Sequence, residues 1–256
     1  MKKKQIYYYT DEQNEEFYKT NFKTKKIDKN YKYVSNNIFY KIVTFILYRM
    51  IATTYAFIYI KIVRRISFKN KSILKAHKKS GYFIFSNHTN AMADAFSPSI
   101  LNFPKQCYSI TNADNVSIPI MGNMVKMLGA LPLPDDFNAS KNFMKALELK
   151  IKQKSAIIVY PEAHIWPYYV GIRPFKSTAF KYPIKFGVPT FSCTTTYQAT
   201  KNRFKTVIYV DGPFYAPDNL SLTEKADSLR NQVYNKMLKR SESSTYEKIK
   251  YIKKEV

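Results

Sequence analysis

The segment Ser86-Asn87-His88-Thr89-Asn90-Ala91-Met92-Ala93-Asp94-Ala95 places a histidine and a carboxylate just past the apolar run Tyr82-Phe83-Ile84-Phe85. An imidazole becomes an effective general base when a carboxylate fixes its tautomer and stabilises the imidazolium formed on proton abstraction. Asp94 is also the first acidic residue after Asp28, and the interval 29–93 carries twelve Lys and Arg with no Asp or Glu. A lone acid near a histidine, after so long a basic stretch, is placed for chemistry. The same residues also fit a loop histidine and a helix-capping aspartate that never meet.

A second loop can join the first. It follows the apolar run Ala156–Tyr160 and reads Pro161-Glu162-Ala163-His164-Ile165-Trp166, then Gly171-Ile172-Arg173-Pro174-Phe175-Lys176-Ser177. In parallel α/β sheets the loops leaving the carboxyl ends of strands build the ligand site. Glu162 with Arg173 and Lys176 could orient a hydroxyl-bearing, anionic substrate, or Glu162 could simply pair with a lysine.

The elements that must hold these loops alternate in type. Strands are expected at Tyr82–Ser86, Lys105–Ile110, Ala130–Leu133, Ala156–Tyr160, Val188–Thr196 and Phe204–Val210. Helices are expected at Asn90–Leu101, Ile118–Leu128 and Ala139–Lys152, then from Ser177 with a kink or break near Pro183. A last helix starts at the capping-box pattern Ser221-Leu222-Thr223-Glu224 and runs to about Arg240. The predicted fold class is therefore α/β, a largely parallel sheet with helices on both faces. The expected organisation is a polar lead-in over 1–37, a membrane-associated helical segment over 38–79, an α/β domain over 80–245 and a basic tail over 246–256.

Composition narrows the function classes. The chain has 256 residues, 45% of them hydrophobic, enough to bury a substantial core. Two distant cysteines, Cys107 and Cys193, suggest a reduced compartment without a disulfide framework. Three histidines and no paired cysteine spacing argue against zinc, so no metal is expected. The N-terminus lacks the apolar run of a secretory signal. A net charge of +24 calls for an anionic partner, and its distribution favours a membrane surface over nucleic acid, of which no module signature appears.

Half of that excess brackets Ile42–Ile60, an apolar stretch interrupted only by Arg49. Nineteen helical residues reach ~28 Å, close to the thickness of a hydrocarbon core. Basic residues flank both ends, so positive-inside asymmetry is missing. The favoured reading embeds this helix in one leaflet, with Arg49 snorkelling to phosphates. A single span and a buried core helix are the other readings.

Taken together, Asn87-His88 with Asp94, Tyr160-Pro161-Glu162, Arg173-Pro174-Phe175-Lys176 and Gly187-Val188-Pro189 resemble the glycerolipid acyltransferase superfamily, typified by 1-acylglycerol-3-phosphate acyltransferases. The match covers roughly residues 80–215, in the family's order. The resemblance implies a membrane-associated acyltransferase at the cytoplasmic face of a membrane. No cofactor is implied; acyl-CoA or an acyl-carrier protein would act as co-substrate. His88 would take the proton of the acceptor hydroxyl and Asp94 would orient His88. The substrate-binding residues would be Asn87, Glu162, Arg173 and Lys176. The expected partners are anionic membrane lipids, the acyl donor and a lysolipid acceptor such as lysophosphatidate.

Three departures stand out. The chain has five residues between His88 and Asp94 where the family has four, so a bulge or a later helix start is needed to keep the contact. Ala163-His164-Ile165 replaces the usual Gly-Thr-Arg, and Asp135 stands where an arginine is expected. Two arginines usually assigned to the acceptor phosphate are thereby absent. The alternative to an enzyme is a non-catalytic membrane-binding protein that keeps the fold.

Overall fold

A computed structural model describes residues 5–17 and 22–254. The parts of the expected lead-in and tail at 1–4, 18–21 and 255–256 lie outside the described residues. The frame of the molecule is a seven-stranded sheet. Its strands are β2 (Ser67–Lys69), β3 (Tyr82–Ser86), β4 (Cys107–Thr111), β5 (Ala130–Pro132), β6 (Ala156–Val159), β7 (Thr190–Ala199) and β8 (Phe204–Phe214), in the order β2-β8-β7-β3-β6-β4-β5. All pairings are parallel except β7 with β8. Those two are joined by a short connection that leaves no room for a crossover helix.

Strands β3 and β6 read as unbroken apolar runs because both of their faces are covered. On one face Phe83, Phe85, Ile157 and Val159 meet the helix Phe137–Lys152 through Phe143, Ala146 and Leu147, and the helix Leu222–Ser241 through Ala226, Leu229, Val233 and Met237. On the other, Tyr82, Ile84, Ala156 and Ile158 pack with Phe191 and Cys193. There they meet α1 (Ile38–Val63) through Ala56 and Ile60, and the helix Ala91–Asn102 through Ala93, Ile100 and Leu101. The capping box closes as the sequence predicts. Ser221 Oγ accepts the Glu224 amide, and the Glu224 carboxylate accepts the Ser221 amide at 2.9 Å.

Two predicted helices are corrected. Residues 118–128 do not form one helix, because Ile118 is extended and Ile120 is left-handed at φ 66°; the chain instead makes Ala113–Ser117 and Gly122–Met127. After Ser177 a 3₁₀ turn, Thr178–Phe180, leads into the helix Lys181–Phe186, whose Pro183 sits in the first turn where amides have no helical partner. Gly187 then closes that helix in the left-handed conformation, φ 59°.

Helix α1 touches the domain along one side and displays the other. Tyr48, Thr53, Ala56 and Ile60 are buried, whereas Ile38, Phe39, Phe45, Met50, Ile51 and Val63 are exposed. Two π-helical stretches, Leu47–Ala52 and Ile58–Val63, rotate successive turns so that this side stays in register with the domain. The Tyr48 hydroxyl accepts the Cys107 amide at 3.0 Å. The Arg49 guanidinium donates to the Pro104 carbonyl and lies 5.6 Å from the Phe103 ring centroid.

The lead-in and tail carry regular structure. β1 (Gln5–Tyr9) pairs in parallel with β9 (Ile249–Lys253) in a separate two-stranded sheet, and Ile27 is fully buried in the main core. This clasp closes over the loop after β6. Trp166 is fully buried, stacks on Tyr251 at 4.9 Å and meets Tyr9 and Phe17 edge-on. The Trp166 indole donates to the Glu15 carbonyl, and Tyr251 donates to the Pro167 carbonyl at 2.8 Å. Replacing Tyr251 with Ala removes both the stacking and this bond. The expected loss is about 2–4 kcal/mol of stability, read as a lower urea midpoint together with faster proteolysis of residues 5–17.

Candidate active site

The His88–Asp94 pair forms where β3 runs out. Residues 87–90 stay extended, Asn90 caps the helix α2 (Ala91–Asn102) by accepting the Ala93 amide, and Asp94 falls in the first turn. This late helix start absorbs the extra residue between His88 and Asp94. The carboxylate folds back toward the cap. A single oxygen, Oδ2, receives His88 Nδ1 at 2.8 Å, the Thr89 amide at 3.0 Å and the Asn90 amide at 2.9 Å. A carboxylate accepts only, so the Nδ1 proton lies toward Asp94 and Nε2 is left with its lone pair. The His88 side chain is 18% exposed and that of Asp94 4%.

Proline 98 has a specific part in this arrangement. It sits inside α2 and has no amide, so the carbonyl of Asp94, four residues earlier, loses its helical donor. The Tyr160 hydroxyl takes that place, donating to the Asp94 carbonyl at 2.6 Å. The Tyr160 ring stacks on the His88 imidazole, with centroids 4.4 Å apart and planes at 25°. Tyr160 thus braces both members of the pair. Proline in the helix and tyrosine after β6 are visible in the sequence, but only the fold shows that one answers the other.

The remaining expected residues lie close by in a different capacity. Asn87 is buried, and its amide bridges β3 to β7: Oδ1 accepts the Thr195 amide at 2.8 Å and Nδ2 donates to the Thr195 carbonyl at 3.1 Å. Glu162 is buried; it accepts the His88 amide through Oε2 and the Arg173 amide through Oε1, both at 3.1 Å. Burial pushes its carboxyl upward, and the Arg173 guanidinium and the two amides oppose that shift. The expectation that Arg173 stands open to a substrate anion is corrected. Its side chain is fully buried, 3.7 Å from Glu162 Oε2, lies 4.9 Å from the Trp166 ring centroid, and donates to the carbonyls of Glu162 and His164. Lys176 is exposed.

Three residues of the neighbourhood were not singled out by sequence reading. Tyr197 bonds Thr89 Oγ1 at 2.8 Å. Tyr168 donates its amide to the Thr89 carbonyl at 2.8 Å, as Trp166 does to the His88 carbonyl at 3.1 Å. Arg64 donates to the Tyr168 hydroxyl at 3.3 Å. All depend on contacts between residues far apart in the sequence, which no local pattern signals. Among the described residues no cluster of His, Cys, Asp and Glu could hold a metal ion.

The arrangement can abstract a proton from a hydroxyl brought to His88 Nε2, and it agrees with independent similarity. The crystal structure of the 1-acyl-sn-glycerophosphate (LPA) acyltransferase PlsC from Thermotoga maritima shares this fold, with a TM-score of 0.51 over 82% of this chain and 85% of that one. The two sequences are 17% identical. No curated protein sequence matches the chain. The acyltransferase family model matches residues 65–196, an interval that contains His88, Asp94, Tyr160, Glu162 and Arg173. It spans more than half of the 256 residues, and the chain belongs to the acyltransferase family.

Proposed function

We propose that this acyltransferase is membrane-associated and moves a fatty acyl group from an acyl thioester to a hydroxyl of a glycerolipid acceptor such as lysophosphatidate, at the cytoplasmic face of a membrane. The thioester is that of coenzyme A or of an acyl-carrier protein. The observation that carries the reading is the 2.8 Å contact of His88 Nδ1 with an Asp94 oxygen that also holds two amides. Family membership and the PlsC-like fold support the reaction type.

In this reading His88 Nε2 takes the acceptor's hydroxyl proton as the oxygen attacks the thioester carbonyl. The tetrahedral intermediate collapses with cleavage of the carbon–sulfur bond, and the leaving sulfur takes the proton from the imidazolium and departs as the thiol, which restores neutral His88. Asp94 holds the tautomer and stabilises the imidazolium. Glu162 and Arg173 act as positioning residues. They fasten the loop after β6 to the His88 backbone, and this assignment replaces the direct substrate contacts first expected of them and of Asn87. Lys176 remains a candidate for contact with an anionic substrate, because its ammonium is free to reach solvent.

Membrane association rests on α1, whose 26 residues are long and apolar enough to cross a bilayer. One side of the helix is committed to the domain, through Tyr48, Ala56 and Ile60. That geometry favours a helix lying in one leaflet over one that crosses, since a crossing helix would carry this side of the domain into lipid. The exposed side then supplies the buried apolar area.

Three outcomes test this proposal. His88→Ala should lose about 10²–10⁴-fold in acyl-transfer turnover with unchanged far-UV circular dichroism, and Asp94→Asn should lose less; full activity in His88→Ala overturns the enzyme reading. Tyr160→Phe strands the Asp94 carbonyl and should lower kcat by roughly tenfold, whereas Pro98→Ala, which restores a helical amide to that carbonyl, should recover part of the loss in the double variant. For the membrane, 1 M salt should leave the protein on anionic vesicles and detergent should release it, as about 10 Å of screening length at 0.1 M salt falls to about 3 Å at 1 M. Release by salt alone would mean a purely electrostatic contact.

A further inference from the structure

Arg64, Tyr168 and Lys248 come from three distant parts of the chain and meet near Thr89, the residue after His88. Arg64 caps the C-terminal end of α1 and donates to the Tyr168 hydroxyl at 3.3 Å. Lys248, directly before β9, places its Nζ 3.7 Å from the centroid of the Tyr168 ring. Tyr168 is held one residue past His88: its amide bonds the Thr89 carbonyl, and its ring packs on Tyr197 at 5.3 Å. The backbone there is left-handed, φ 57°, a conformation that costs a non-glycine residue about 1–3 kcal/mol and persists where packing dictates it.

Two cations converge on one phenol. Among the described ion pairs neither Arg64 nor Lys248 has a carboxylate partner. Like charges held against one ring repel, and an anion between them relieves the cost. The phenol already responds to them. Burial would raise the pKa of Tyr168, but the hydrogen bond from Arg64 and the positive charges of Arg64 and Lys248 bring it below the usual tyrosine value. An arginine fork, an ammonium and a hydroxyl donor together suit the oxygens of a phosphate ester.

We infer that Arg64, Lys248 and Tyr168 form an anion subsite that receives the phosphate ester of the acceptor while its hydroxyl lies at His88. The inference rests on the function proposed above and deepens it. It supplies cations for a phosphate where the motif positions hold Ile165 and Asp135 in place of arginines. The position at the end of α1 fits a lysolipid, whose chain would stay among the apolar residues of the embedded helix while its headgroup reaches the domain. The phosphates of coenzyme A or of an acyl-carrier protein share this chemistry, so the test separates the two sources.

Full-length protein in mixed micelles is assayed with lysophosphatidate and acyl-coenzyme A varied independently. Arg64→Ala and Lys248→Ala should each raise the KM for lysophosphatidate about tenfold, with kcat and the KM for acyl-coenzyme A little changed. Arg64→Lys and Lys248→Arg should recover part of the loss, and an uncharged monoacylglycerol acceptor should not distinguish the variants from wild type. A rise confined to the acyl-coenzyme A KM overturns the acceptor assignment in favour of the donor's phosphates. Unchanged KM values for both substrates, in an active enzyme, overturn the subsite altogether. Calorimetric titration with glycerol 3-phosphate keeps the two proposals separable. If wild type transfers no acyl group yet binds this probe more tightly than the Arg64→Ala, Lys248→Ala double variant, the substrate reading fails and the anion subsite stands. Equal binding by both proteins overturns the subsite.

Discussion

Asp94 holds its negative charge where solvent hardly reaches, so the protein must supply what water would have supplied. It does so with one oxygen that takes two backbone amides and an imidazole N–H, at the amino end of α2 where the helix dipole also favours an anion. The loop from 87 to 90 cannot relax without stranding that charge, and the imidazole cannot rotate without losing its partner. The rest of the site follows from this constraint. Proline at 98 exposes the Asp94 carbonyl, Tyr160 satisfies it, and the Tyr160 ring in turn limits the tilt of His88. The geometry of the His88–Asp94 pair is a consequence of satisfying buried polar groups.

Much of this was legible in the sequence. The apolar runs at 82–86 and 156–160 named the two central strands because burial on both faces removes any need for alternation. His88 and Asp94 stood out by their isolation in a basic interval, and the structure brings them together. What sequence could not show was the direction in which each polar side chain points. Asn87, Glu162 and Arg173 were expected at the substrate; instead Asn87 ties β3 to β7, and Glu162 and Arg173 fasten the second loop to the first. A motif fixes residue types, and the same carboxylate serves either task until its neighbours are known. The β1–β9 pairing was illegible for a related reason. Its partners lie at opposite ends of the chain, and each strand alone is a short, polar-mixed segment.

The excess of cations acquires structure once burial is known. Arg49 joins α1 to the turn at Phe103-Pro104. Lys105 donates to the carbonyls of Lys78 and Ser80, closing the chain before β3. Many of the remaining lysines are exposed and free to meet an anionic surface. The basic character is therefore of two kinds, one holding loops together and the other facing outward. Only the second responds to salt.

The departures at Ala163-His164-Ile165 and the clasp are best understood together. Ala163 occupies a left-handed conformation, φ 63°, where a glycine would carry no steric penalty. Tyr168, five residues on, is left-handed as well. A loop with two such residues would open if solvent surrounded it. Here Trp166 lies between them, fully buried under Tyr9, Phe17 and Tyr251, and the His164 carbonyl is held by Arg173. Aromatic area contributed by both chain ends offsets the backbone strain, so the loop keeps one shape. That shape carries Tyr168 to Thr89 and Glu162 to His88. Residues 5–17 and 249–253 thus help to position the His88 imidazole, although they lie far from it in sequence and hold none of the family's motifs.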